Sequence, residues 1–376
     1  MHVPASDIQR EALMRFGMPW PGRDVGREAE QSGVGAFCAG EFAGHDAYLT
    51  VADIVANTEH ALAGPAIAYA FARTPYAHAT ALRQLHARAP GRLFLGLGSA
   101  AFRINRDWLG VPAERPVARI AETVGAVRAW LHAENGDRVR YRGEFYALDA
   151  DVRAPVLGRL DVPVLLAAFN TRMAATAGRV ADGLVGHGLF TGPWWNEVVR
   201  PSVAGGAGDG DRAGARPLEH GWIITAVDDA APERAIADAR RMIAFYLTVK
   251  TYDPFVAHHG WEEPVARLRA AFRAGDTDAM ARAVTDEMVT GIAVCGTTTD
   301  AKDTLARRAG SLPHDVGYFA PPSFLVSHRR RAAYARASLA LVGAVPEPAR
   351  PGAAHRSRGA TAPGPVRGPA AVRRPR

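Results

Sequence analysis

The chain has 376 residues, 48% of them hydrophobic, and a formal net charge of +7. That is enough apolar material for a large core, and a barrel of about 250–300 residues plus tails fits the length. No apolar run approaches the ~18 residues of a membrane span, residues 1–24 lack the apolar centre of a secretory leader, and two cysteines, Cys38 and Cys295, are too few for a disulfide framework or a zinc cage. A cytoplasmic protein acting on a small molecule is the expected class. The charge does not argue for nucleic acid. From Pro346 onward Arg350, Arg356, Arg358, Arg367, Arg373, Arg374 and Arg376 stand against Glu347 alone, which accounts for +6 of the +7. The rest is near neutral and has no basic stripe suited to a phosphate backbone.

Residues 13–18 (LMRFGM) read as a first strand, and 33–42 (GVGAFCAGEF) as a second that ends in a carboxylate, Glu41. Asp46 is a good N-cap for a helix over 47–60. Residues 64–71 (GPAIAYAF) form strand three, and Arg73-Thr74-Pro75 opens a helix over 76–88. The stretch 91–100 (GRLFLGLGSA) is a short apolar run closed by glycines. It reads as a buried parallel strand running into a loop where a backbone or a flat ligand approaches closely. Pro116 starts a helix over 116–132, and 139–148 (VRYRGEFYAL) reads as a hairpin. Strand five is 162–169 with a helix over 171–180, strand six 182–187, strand seven 220–227 and strand eight 316–319. A long helix starts at Pro232, 252–290 is an irregular helical insertion, and a last helix lies near 327–342. The Gly/Asp-rich stretch 204–214 reads as a mobile loop. The Pro/Ala/Arg-rich tail 345–376 cannot form a core and reads as disordered. Alternating strands and helices over 1–344 predict an α/β fold, a (β/α)8 TIM barrel.

Several anchors then converge on a family. They are Glu41 with His45-Asp46, Arg73-Thr74-Pro75, Pro90 to Gly98, Tyr141 to Tyr146, Ala177 to Gly183 and Gly296-Thr297-Thr298. Their order and spacing resemble the luciferase-like monooxygenases, the bacterial-luciferase-type barrels that include the F420-dependent reductases and dehydrogenases. The resemblance implies an oxidoreductase with a site at the C-terminal mouth of the barrel. Its cofactor is expected to be coenzyme F420, for hydride transfer to or from a small organic substrate. The alternative is FMN, for monooxygenation. It also implies a homodimer. The family often has a non-proline cis peptide in strand three, and the matching bond joins Ala66 to Ile67. Cofactor contacts carry over to Glu41, Ala66, Ile67, Tyr69, Gly98, Ser99, Asn105, Ala168, Phe169, Asn170, Thr171, His187 and Gly188. Many members place histidine after the strand-two carboxylate; here Phe42 stands there, which motivates a further alternative, a catalytically degenerate barrel acting as a binding protein.

The residues themselves leave choices open. Glu41 is either a catalytic carboxylate that meets a ring edge or moves a proton, or a buried ion-pair partner. His45 is either the proton source Phe42 cannot be, or a loop histidine supporting Asp46. Trp194 and Trp195 either wall a substrate pocket or pack a loop onto the barrel. Tyr252, with His258 and His259, falls where the family inserts lids, a place for substrate contact. No metal-ligand spacing and no G-x-S-x-G is present.

Overall fold

The computed structural model describes residues 14–152, 158–208 and 216–344. The tail 345–376, residue 13 and positions 209–214 of the Gly/Asp-rich stretch lie outside them. Strands β1 (Arg15–Pro19), β2 (Ala36–Ala39), β3 (Leu62–Pro65), β4 (Ala68–Tyr69), β5 (Leu95–Gly98), β8 (Val164–Ala167), β9 (Gly183–Gly186), β10 (Leu218–Val227) and β12 (Val316–Ala320) make a parallel sheet in the order β3-β2-β1-β12-β10-β9-β8-β5-β4. The two ends of that path are halves of one segment. β3 pairs with β2, β4 pairs with β5, and Ala63 bridges to Leu93. The ring therefore closes as eight staves, the third being split at the Ala66–Ile67 peptide, which is cis. The expected continuous strand over 64–71 is thus two short ones. Between β5 and β8, β6 (Arg138–Arg142) and β7 (Ala147–Asp151) form the antiparallel hairpin.

Apolar strands buried on both faces suit a barrel. Outside, they pack against α1 (Arg23–Gln31), α2 (Ala47–Asn57), α3 (Pro75–His86), α4 (Pro116–Leu131), α5 (Thr171–Val180), α6 (Arg200–Gly208) and α7 (Pro232–Leu247). Inside, Ala36, Cys38, Phe94, Leu165, Val185, Val316 and Tyr318 form a second cluster. The Tyr318 hydroxyl and His220 Nδ1 share a hydrogen bond of 2.9 Å there. After α7 the chain continues through α8 (Asp253–His258), α9 (Glu262–Arg273), α10 (Thr277–Ala283) and α11 (Asp286–Ile292), then returns as β11 (Val294–Gly296). β11 was not anticipated as a strand; it pairs in parallel with Thr225–Val227, the outer end of the ten-residue β10. α12 (Thr298–Arg307), with its Thr297 capping box, and α13 (His328–Ser338) complete the described fold.

The stretch expected to be a loop from 204 is helical as far as Gly208. Its glycines make a close helix–helix contact. A Cβ on Gly206 would lie 1.9 Å from the Ala175 carbonyl oxygen, and one on Gly178 2.0 Å from that of Val203. Composition signals a loop, but backbone-to-backbone packing against α5 overrides it. The adjacent Gly205 faces open space. The two neighbours should therefore respond with opposite sign. Gly205→Ala is expected to stabilise by about 0.4–1 kcal/mol through helix propensity. Gly206→Ala is expected to destabilise by about 1–3 kcal/mol through overpacking. Urea unfolding of both variants checks this.

Candidate functional site

The C-terminal ends of the staves, where α/β barrels place their ligands, gather around the split third strand. Glu41 follows β2 and turns toward the split. Its backbone N–H donates to the Ile67 carbonyl (3.0 Å), and its Oε2 accepts from the Tyr69 N–H (2.6 Å). Oε1 lies 2.6 Å from Arg73 Nη2, with both side chains largely buried. Arg73 also pairs with Asp46. Asp46 caps α2 by accepting from the N–H groups of Tyr48 (2.9 Å) and Leu49 (3.0 Å). Burial opposes the charge on Asp46, but the Leu49 N–H and the Arg73 guanidinium hold its carboxyl below the usual range. Behind them the Tyr48 hydroxyl meets His78 Nδ1 at 2.5 Å, and His78 Nε2 lies 3.2 Å from the Ala70 carbonyl. The Ala70 N–H donates to Gly98 (2.9 Å), tying the loop after β4 to β5.

Beside this brace lies a mostly apolar floor. Gly98 lets Ile67 lie across it, since a Cβ there would come within 2.6 Å of Ile67 Cδ1. Ile67, Ala167 and Trp222 are each partly exposed. The Trp222 indole comes within 3.6 Å of where a Cβ on Gly40 would be, and the Trp222 Cβ within 3.8 Å of where one on Gly188 would be. Sequence reading missed Trp222. It shares the inward parity of His220 in β10, both paired with inward residues of β12. In the uniformly apolar run HGWIITAV, however, that parity cannot be told from the outward one.

His187 follows β9. The Leu189 N–H donates to its Nδ1 (3.2 Å), so the other nitrogen, Nε2, carries the proton and donates to the Tyr252 hydroxyl (3.2 Å). Burial pushes the His187 pKa down to about 4, so the ring is neutral. Phe169, Tyr246 and Tyr252 surround it, with ring centroids 4.5–5.4 Å away. Asn170 precedes α5 but does not cap it with its side chain. Its amide donates instead to the Thr251 carbonyl (3.0 Å). Thr171 is exposed in the first turn, and Ala168 is buried.

The structure thus brings Glu41, Ile67, Tyr69 and Gly98 together, and His187 with Phe169 and Tyr252. Other expected site residues sit elsewhere. Trp194 and Trp195 are only 2% and 3% exposed, so they are core residues and do not wall a pocket. Trp194 donates to the Phe169 carbonyl (3.1 Å), and Trp195 packs against Gly186 and Gly221. Asn105 is also buried; its amide latches the 99–105 loop by donating to the Ser99 carbonyl (2.7 Å). His45 is exposed in a tight turn closed by mutual backbone bonds with Phe42, while Ser99 is half-buried. His258 lies 3.5 Å from Glu197, and His259 bonds Thr191 and the Phe255 carbonyl. Among the described residues, no group of three or more His, Cys, Asp or Glu is placed to hold a metal. Among them too, no helix is long and apolar enough to cross a membrane.

A family model described as luciferase-like monooxygenase matches residues 21–315. The chain belongs to this family. This luciferase-like protein is 27% identical over 286 residues to a 5,10-methylenetetrahydromethanopterin reductase of Methanolobus tindarius, covering 73% of this chain and 82% of that one. It is 29% identical over 208 residues to an F420-dependent glucose-6-phosphate dehydrogenase of Mycolicibacterium smegmatis, covering 54% and 58%. Its fold matches the coenzyme F420-dependent tetrahydromethanopterin reductase of Methanopyrus kandleri with a TM-score of 0.70 at 19% identity, covering 87% and 98% of the two chains. The luciferase-like protein is accordingly an oxidoreductase.

Two outcomes follow from the brace and the buried rings. Arg73 meets Glu41 and Asp46 through the one Nη2, and Arg73→Lys keeps the charge but shortens its reach to the two carboxylates; it should cost about 1–3 kcal/mol, read by urea unfolding. His78, His187 and His220 all have pKa values lowered to about 4, in each case chiefly by burial. A lowered histidine pKa favours the neutral folded form. Its contribution is complete above about pH 6.5 and is lost as pH falls through 4. Unfolding between those limits should therefore take up as many as three protons, a slope of up to about 4 kcal/mol per pH unit. Unfolding midpoints at pH 7, 6 and 5 measure it.

Proposed function

We propose that this protein is an F420-dependent oxidoreductase that transfers a hydride to or from a small organic substrate. The observation that carries the reading is the braced floor at the barrel mouth. Ile67 and Trp222, both partly exposed over the inner cluster, with Gly98 beneath Ile67, offer an apolar surface suited to the face of a planar tricyclic ring. When bound, F420 supplies the hydride donor or acceptor. The chain's part is binding, orientation and exclusion of water. Ile67, whose carbonyl accepts from the Glu41 N–H, would support a face of the ring. Glu41 is engaged by Arg73 and the Tyr69 N–H, so it fixes the floor's shape. Neutral His187 donates to Tyr252 and holds the 249–252 segment against the mouth. No side chain caps α5, and the Asn170 Oδ1 that could do so is unpartnered, which leaves the Thr171 and Arg172 N–H groups for a phosphate.

The same floor suits the ring of FMN, so the test measures both affinities on the purified protein. Tight F420 binding with weak FMN binding is expected. Tight FMN binding without F420 would make it a monooxygenase of the same fold, and binding of neither would favour a degenerate barrel. Glu41→Gln should remain folded and lower F420 affinity about tenfold, the value of one charge-assisted hydrogen bond. Unchanged affinity would detach the brace from cofactor binding.

A further inference from the structure

Two aromatic side chains beside this site are exposed without a packing reason. Phe42 is 53% exposed and Trp108 56%, and their ring centroids lie 5.3 Å apart at an interplanar angle of 59°. They come from different loops, after β2 and after β5. Both loops are anchored. The turn carrying Phe42 is closed by its two backbone bonds with His45 and ends at Asp46, which is fixed by Arg73. Trp108 ends a short π-helix, Ile104–Trp108, latched from inside by buried Asn105 through the Ser99 carbonyl. Rigid loops that present apolar rings to water forgo burial worth roughly 25 cal/mol per Å², and contiguous exposed apolar surface marks a binding site.

We propose that Phe42 and Trp108 form a rim subsite for a planar aromatic ring, the recognition element of an aromatic substrate. The inference rests on the oxidoreductase reading of the mouth and names its substrate class. Position supports it, because Phe42 directly follows Glu41, whose side chain shapes the floor. In the loop of Trp108 one carboxylate, Asp107, answers both Arg106 and exposed Arg103, and Arg106 also covers the neighbouring Phe102 ring at 5.4 Å, so what the pair itself offers is its two ring faces. Size supports it too. Two half-exposed rings offer far less than the ~800 Å² per partner of a stable protein interface, but they match one bicyclic ring. With phenylalanine at 42, the subsite grips by stacking and apolar contact alone.

The test is calorimetric titration of the full-length protein with 2-naphthol and with its saturated analogue 2-decalol, each with and without F420 present. 2-Naphthol should bind at least tenfold more tightly than the decalol. Phe42→Ala and Trp108→Ala should each weaken it about tenfold, while F420 affinity stays within twofold. Tyr76→Ala, an exposed aromatic that meets Trp130, should change neither. The proposal is overturned if 2-naphthol binding survives both substitutions or if the decalol binds equally well. It is also overturned if the double variant instead changes the oligomeric state by light scattering with naphthol affinity intact, which would assign the pair to contact between copies. Loss of F420 binding in the parent protein would count against the oxidoreductase reading alone. Melting temperatures confirm that the variants fold.

Discussion

The Glu41 carboxylate bridges two pieces of chain that strand pairing leaves apart. One is the Tyr69 N–H, where the third stave resumes after its break; the other is the Arg73 guanidinium in the loop beyond. An interrupted stave exposes donors and acceptors that a regular ladder would consume, and in a largely buried setting each one left unpaired costs about 1–3 kcal/mol. A side chain from the neighbouring stave takes up part of that deficit. Arg73 then passes the constraint to Asp46 and so to the start of α2. The floor of the mouth, the cap of a helix and the turn that holds up Phe42 are consequently one connected object.

Elsewhere the chain uses arginine differently. Arg83 donates to the carbonyls of Trp130, Leu131, Ala133 and Gly158, Arg92 to those of Thr58, Glu59 and Ala61, and Arg308 to those of Phe190 and Ile292. These guanidiniums gather carbonyls at the ends of α2, α4 and α11, positions where a helix leaves acceptors unsatisfied. The planar fork with five donors is what permits one side chain to serve three carbonyls. Burial lowers the Arg308 pKa to about 10, which still leaves it charged near neutrality.

The barrel was legible because buried parallel strands announce themselves as short apolar runs between turn signals, as at Gly91 to Gly98. The hairpin and the Asp46 cap were legible for equally local reasons. What failed was anything decided by the partner across the contact. The glycines of α6 look like a loop until Ala175 is placed against them. The tandem tryptophans at 194–195 look like a pocket wall, but Gly186 and Gly221 make room to bury one of them. β11 is too short to be read before its partner β10 is known. At the mouth, the family resemblance pointed to Glu41 and to the Ala66–Ile67 bond, but the partner of the Glu41 carboxylate, Arg73, becomes visible only in the fold. Trp222 had no distinguishing signal within an apolar strand.

The pairing of β11 with the far end of β10 carries a further consequence. The chain leaves β10 at Val227, makes five helices, and comes back to lie beside the residues it has just left. Both ends of the excursion are pinned to one strand, and its helices add Ile243, Leu247, Phe255, Leu268 and Ile292 to the same core. The span also contains Tyr252, which reaches back to His187. A disturbance of the helical excursion is therefore carried to the mouth through a segment that none of the eight staves contains.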